Sequence, residues 1–320
     1  MRPVDIHSPE VMAVKRYLAP LGWALGMLVM ILDGKTAMAG AAAGLELCIK
    51  TLIPSLFPFF VLSMMLTSAL SGGGLLLTGI LGGYPVGAAN VAKAYGSGQL
   101  SPEDAERMAV LCNCAGPSFL FGVVGPVLGD IRAAFLLWII YLLSIGTLWV
   151  IFPKTEHVGR TKASITLQQA LFQSIRAMAG VCGWVILFRV VLGILDRWIL
   201  WIVPDWLRVC IYGLLELSNG CISLVSLEPG LRFVLAAGFL GFGGLCVFLQ
   251  TASVTDGLNL RCYFPGKLFQ ACFCVLLASL LTPGTVPPAV QILLSALMAG
   301  LALLLRKSEK RSGNPAAVIV

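Results

Sequence analysis

Charge and histidine are scarce in this 320-residue chain: only 12% of its residues are Asp, Glu, Lys or Arg, and its two histidines are His7 and His157. Soluble domains carry about 25% charged residues, so the deficit excludes an ordinary water-soluble globule. Both histidines lie in polar flanks, which leaves no H-E-x-x-H pair and no imidazole base beside a serine or cysteine nucleophile. A pair of intramembrane acids is missing as well, since Asp33, Asp130, Asp196, Asp205 and Asp256 all fall at the ends of apolar runs. The inventory therefore argues against an enzyme. Metal spacing is also wanting: Cys112-x-Cys114 and Cys272-x-Cys274 are not C-x-x-C pairs and lack histidine partners. The ten cysteines mostly sit inside apolar runs, as small buried hydrophobes do. Neither a metal nor a cofactor is expected.

What the chain has is apolar length. Hydrophobic residues make up 58% of it, the mean hydropathy is +0.92, and several runs approach the roughly 20 residues that a membrane-crossing helix needs. The expectation is an all-α polytopic protein, multi-pass in the cell membrane, with the lipid bilayer as its first partner. Its net charge of +7 records topology by the positive-inside rule. Lys15 and Arg16 precede the first span, and Arg306, Lys307, Lys310 and Arg311 follow the last, which places both termini in the cytoplasm. No soluble basic platform exists for nucleic acid.

The apolar runs divide the chain. A tail and first span occupy residues 1–36, with the apolar part at 17–32; a first repeat covers 37–152; a polar linker covers 153–166; a second repeat covers 167–305; a cytoplasmic tail covers 306–320. Within the first repeat, 37–49 lies at the interface or extends the next helix, and the span 51–70 should kink at Pro54 and Pro58. Ser101-Pro102-Glu103 reads as a helix start at an aqueous surface. The segment 167–203 is long enough for an interfacial piece plus a span.

Four runs are interrupted. Gly82-Gly83-Tyr84-Pro85 and Gly87 break the run 75–94; Asn113, Gly116, Pro117 and Ser118 break the helix that starts at Pro102, which should end near Gly125-Pro126. In the second repeat Glu216-Leu217-Ser218-Asn219-Gly220 and Gly241-Phe242-Gly243-Gly244 do the same. Freed backbone groups at membrane depth are tolerated only where protein or a wet cavity receives them. Paired interruptions at corresponding places in two halves point to a binding site between inverted repeats. The expected fold is thus two related, inverted repeats with broken or re-entrant helices. Arg107 lies nine positions before Gly116, and Arg232 nine positions before Gly241, which aligns the halves.

Each candidate site residue has two readings. Glu216, inside an apolar run, either couples a proton or bonds substrate, or is a structural acid paired with a cation such as Arg189. Asn113 and Asn219, with Ser118 and Ser218, either contact a ligand or cap and bridge helices. Gly83, Pro85, Gly87, Gly116, Pro117 and Gly241 either expose half-helix N-termini that favour an anion or let helices pack closely. Tyr84 belongs to the first break. Lys93 either meets an acidic substrate or snorkels to the interface, and Gln250 ends the last broken run.

The motifs Gly82-Gly83-Tyr84-Pro85-Val86-Gly87-Ala88, Asn113-Cys114-Ala115-Gly116-Pro117-Ser118-Phe119 and Glu216-Leu217-Ser218-Asn219-Gly220 resemble the sporulation integral membrane proteins of the YlbJ (SpoVV) type, which contain nucleoside-recognition gate domains. The resemblance covers most of the chain from about residue 37 to the last span. It departs from the family pattern at Cys114 and Ser218. It implies kinship with concentrative nucleoside transporters and a place in the outer forespore membrane. The implied substrate is a small organic anion, dipicolinic acid. Movement of the broken segments is expected to carry it by alternating access, with a proton or sodium ion as the candidate coupling species. A nucleoside substrate, or a non-transporting assembly or signalling role in the spore envelope, is the alternative.

Overall fold

A computed structural model describes residues 9–69, 74–152, 165–255 and 257–312. Both histidines, the glycines at 72 and 73, and 153–164 of the expected linker lie outside the described residues. Every regular element among the described residues is helical. In chain order they are α1 (Pro9–Leu32), α2 (Gly34–Leu47), α3 (Ile53–Ala69), α4 (Leu75–Gly82), α5 (Val86–Gly96), α6 (Pro102–Cys112), α7 (Pro117–Phe119), α8 (Gly125–Leu128) and α9 (Ile131–Ile151). Then follow α10 (Leu167–Trp198), α11 (Asp205–Leu215), α12 (Leu217–Ser223), α13 (Pro229–Phe242), α14 (Gly244–Val254), α15 (Tyr263–Leu281) and α16 (Pro288–Ser312).

Seven stretches among the described residues are long and apolar enough to cross a bilayer: Gly34–Leu66, Pro102–Leu128, Ile131–Ile151, Leu167–Trp198, Pro229–Val254, Tyr263–Leu281 and Pro288–Arg306. The protein is an all-α multi-pass membrane protein. Large apolar side chains such as Ile31, Val150 and Ile292 are exposed. In lipid that is their solvated state, because the bilayer interior is as apolar as leucine.

Several boundaries differ from the sequence expectation, each for a local reason. For 37–49 the second of the two expectations holds, extension of the next helix: α2 continues into α3 through a π turn at Cys48–Leu52, with the Ile53 N–H reaching back to the Cys48 carbonyl. Pro54 has no N–H to give, and the wider turn absorbs that loss. The same device recurs at the second break. A π turn at Leu120–Val124 is closed by the Gly125 N–H on the Leu120 carbonyl, one residue before Pro126. The helix therefore continues to Leu128 instead of ending near Gly125. Residues 167–198 form one helix of 32 residues, with no interfacial break, started by a Thr166–Gln169 capping box. Ser101 caps α6 as its sequence indicates, its Oγ accepting from the Asp104 N–H at 3.1 Å.

The two halves have the same order of elements. A long helix (α2–α3; α10) is followed by a tight pair (α4–α5; α11–α12), then a broken span (α6–α8; α13–α14), then a long helix (α9; α15). The opening helices pack on each other, and so do the closing helices. Both tight pairs are hairpins closed on glycine. A Cβ on Gly87 would lie 3.0 Å from the Gly79 Cα, and one on Gly220 would lie 2.2 Å from the Gly213 Cα. The two aligned arginines do different things. Arg107 pairs with Asp104 on its own helix at 3.5 Å. Arg232 donates to the carbonyls of Val127, Val225 and Leu227, at 2.9, 3.0 and 2.9 Å, and so joins the end of α8 to the base of the second hairpin.

Candidate functional site

The four breaks meet. The first is Gly83 at φ +68°, which reverses the chain between α4 and α5. It lies against the second: a Cβ on Gly83 would be 2.8 Å from the Gly116 nitrogen. The third is Glu216, held extended between α11 and α12. It lies against the fourth, Gly243-Gly244: a Cβ on Gly244 would be 3.4 Å from the Leu217 nitrogen. The two pairs join through Tyr84, whose hydroxyl would be 3.2 Å from a Cβ on Gly243.

Between these breaks is a partly open cleft of about 440 Å³, open solvent included. Its polar wall comes from Tyr84, Ser118, Glu216, Ser218 and Gln250, with the backbone of Gly83 and Gly116. Gly82 and the apolar side chains of α3, α7, α10, α12 and α14 complete it. A few polar groups converging in an apolar cleft between helices is the usual form of a small-molecule site.

Glu216 is the one acid in the wall, and it is 1% exposed. Its Oε1 accepts from the Ser218 N–H at 2.9 Å, and its Oε2 accepts from the Asn219 N–H and the Asn219 Nδ2, both at 2.7 Å. The carboxyl group therefore caps α12, satisfying N–H groups that the break would leave bare. No ion pair joins it to Arg189 among the described residues; the Arg189 Nη1 is itself buried without a hydrogen-bond partner. Gln250 reaches the wall from α14, its Nε2 turned to the Cys246 sulfur at 3.2 Å.

Other candidates face protein. Asn113 is fully buried and bridges helices: its Nδ2 donates to the Thr251 Oγ1 at 2.5 Å and to the Tyr263 hydroxyl at 2.6 Å. Asn219 braces Glu216. Lys93 is at the surface, where its Nζ donates to the Gln173 Oε1 at 3.1 Å. Gly87 and Gly241 are packing positions, where a Cβ would meet the Cys112 oxygen at 1.9 Å and the Ala271 Cα at 2.7 Å. Pro85 and Pro117 set the starts of α5 and α7 beside the cavity.

Behind Tyr84 is a polar cluster that the pattern of runs does not reveal. The Tyr84 hydroxyl lies 3.3 Å from that of Tyr141 and 3.3 Å from the Leu240 carbonyl, and the Tyr141 hydroxyl accepts from the Ala115 N–H at 3.0 Å. Lys267 is 1% exposed. Its Nζ donates to the Asn113 carbonyl at 2.5 Å and the Gln270 Oε1 at 2.8 Å, and sits 5.7 Å from the ring centres of both Tyr84 and Tyr263. In the sequence the apolar run begins at residue 268, which makes Lys267 look like a flank. Helix α15 starts at Tyr263, so the lysine is interior. Pro265-Gly266, able to stand inside a first turn, was the available signal.

The chain is 23% identical to the sporulation integral membrane protein YlbJ of Bacillus subtilis (strain 168) over 319 aligned positions, covering 77% of this chain and 78% of that protein. This similarity supports a YlbJ-type assignment. No family model matches the chain, and no solved structure matches it.

Proposed function

We propose that the protein is a transporter of a small organic anion, dipicolinic acid by preference, working by alternating access at the four breaks during spore formation. The observation that carries this reading is the convergence of both halves' interruptions on one cavity. Discontinuous helices around a shared site are the arrangement by which carriers bind at the middle of the membrane. The wall supplies hydroxyls, an amide and an acid with no reactive pair, which suits binding and release more than covalent chemistry. Glu216 carries the coupling role in this reading: a proton on its carboxyl group would remove a negative charge from the path of an incoming carboxylate. The relative's name supports sporulation, and the outer forespore membrane follows from the resemblance of the motifs.

A nucleoside is the second reading. Its support is also Glu216, since a neutral ligand rich in hydrogen-bonding groups meets no repulsion from a carboxylate in the wall. Uptake into proteoliposomes decides. Dipicolinate flux that responds to an imposed pH gradient and is blocked by Glu216→Gln is the expected result. Nucleoside flux alone would shift the assignment to the second reading. No flux of either under any gradient would favour an assembly or signalling role instead.

A further inference from the structure

The break in α6–α8 leaves a carbonyl that no backbone group can satisfy. In a continuous helix the oxygen of Asn113 would accept from the N–H four residues on. That residue is Pro117, which has none. The oxygen also lies at the C-terminal end of α6, where the helix dipole is negative, and it is buried. The group that meets it is the ammonium of Lys267, from α15 of the other half.

That ammonium has no acid of its own. Among the described residues no salt bridge reaches it. Its neighbours are the Gln270 Oε1 and the faces of Tyr84 and Tyr263. An isolated ammonium is costly to bury. Here carbonyl oxygens, a helix C-terminus and two aromatic faces hold it, which is how a bare monovalent cation is held where helices unwind in carriers.

We propose that Lys267 is a tethered cation: its ammonium permanently fills, at the unwound end of α6, the position that a free sodium or potassium ion would otherwise take. The protein then needs no metal ion to hold its first broken span against α15. Its cycle has no sodium dependence, and the movable charge is left to Glu216. This deepens the transport reading, but its test does not use transport.

The test uses the full purified chain in detergent, with Tm followed by tryptophan fluorescence in sodium, potassium or choline chloride at equal ionic strength. The unsubstituted protein is expected to melt at one temperature in all three salts. Lys267→Ala is expected to melt lower in choline and to gain about 3 °C, saturably, in sodium or potassium, as a site filled to several times its Kd would give. A sodium- or potassium-specific rise in the unsubstituted protein would overturn the proposal. So would a folded Lys267→Ala protein that is indifferent to the salt. If Lys267→Ala folds only in sodium or potassium, the proposal stands. If it folds in none while Lys267→Met is stable in choline, an unbranched apolar side chain of similar length suffices and the proposal fails. If neither folds, the salt response of the unsubstituted protein decides. No substrate enters these measurements, so loss of the transport reading would leave their outcome unchanged.

Discussion

Glu216 and Asn113 show how far a single residue's environment can depart from what its neighbours in the chain suggest. Both are polar residues beside a break, yet only Glu216 reaches the cavity, while Asn113 ties α6 to α14 and α15. Asn113→Ala removes two interhelical bonds worth about 1–2 kcal/mol together in a membrane. It is expected to lower Tm by about 5 °C and to leave substrate affinity of the surviving folded protein close to normal. A binding titration at matched folded fraction checks this, and a large loss of affinity without loss of Tm would place Asn113 in the site after all. Glu216→Gln keeps one acceptor at the cap and turns an amide N–H₂ toward another N–H. A stability cost of about 1 kcal/mol is expected, with the protein still accumulating in the membrane and pH-driven flux abolished. Normal proton-dependent flux in that variant would end its coupling role. The seven candidates that line the cavity, Gly83, Tyr84, Gly116, Ser118, Glu216, Ser218 and Gln250, could be picked out because Gly, Pro and polar residues are conspicuous in apolar runs. Lys267 could not, since a basic residue at the edge of a run looks like a topology marker until the helix is known to start four residues earlier.

At the scale of the element, helix breaks were easier to locate than helix continuity. Gly83, Glu216 and Gly243 mark turns because a positive φ or an isolated acid is hard to hide in lipid-facing sequence. The two π turns were not readable, since Pro54 and Pro126 look like kinks or endpoints when the compensating i−5 bond is unseen. Glycine carried a further ambiguity: in the hairpins it serves contact as much as bending. Gly87→Ala places a methyl group against the backbone of Cys112, and overpacking of this kind costs about 1–3 kcal/mol or more. Gly146→Ala, in the middle of α9 with nothing near its Cβ position, is expected to be neutral or stabilising by up to about 1 kcal/mol, Ala being the better helix former. Expression of both variants with fluorescence-detected size exclusion checks the pair: a sharp monodisperse peak for Gly146→Ala, and a reduced or aggregated one for Gly87→Ala. Equal profiles would mean that the first hairpin is looser than its contacts indicate.

For the whole molecule, counting crossings gives an argument that no single helix supplies. The first half has three stretches able to cross, Gly34–Leu66, Pro102–Leu128 and Ile131–Ile151, and a hairpin of short helices that would enter and leave on one side. Three crossings would reverse the chain, so a second half with the same order of elements is predicted to run the other way. If α1, whose apolar part Pro20–Leu32 is shorter than the other seven, is an eighth crossing, both termini are predicted to share the cytoplasmic side that their basic residues favour. The expected outcome is testable on a cysteine-free background with a membrane-impermeant thiol reagent: Asn259→Cys should react only after permeabilisation, and Pro283→Cys should react in intact cells. Labelling of both from the same side would refute the inverted arrangement. The basic and apolar patterns made the multi-pass class readable from sequence. The pairing of α2–α3 with α10 and of α9 with α15 was not, because lipid-facing and partner-facing apolar residues look alike in a chain whose solvent is also apolar.

The arginine at 232 gives this assembly a mechanical property. Its guanidinium holds the last carbonyls of the first broken span and the foot of the second hairpin with one rigid planar group. A fulcrum shared by two levers does not let either slide independently. In the proposed transport cycle, displacement of the hairpin would turn about its foot, with the largest travel at its tip, where Glu216 faces the cavity.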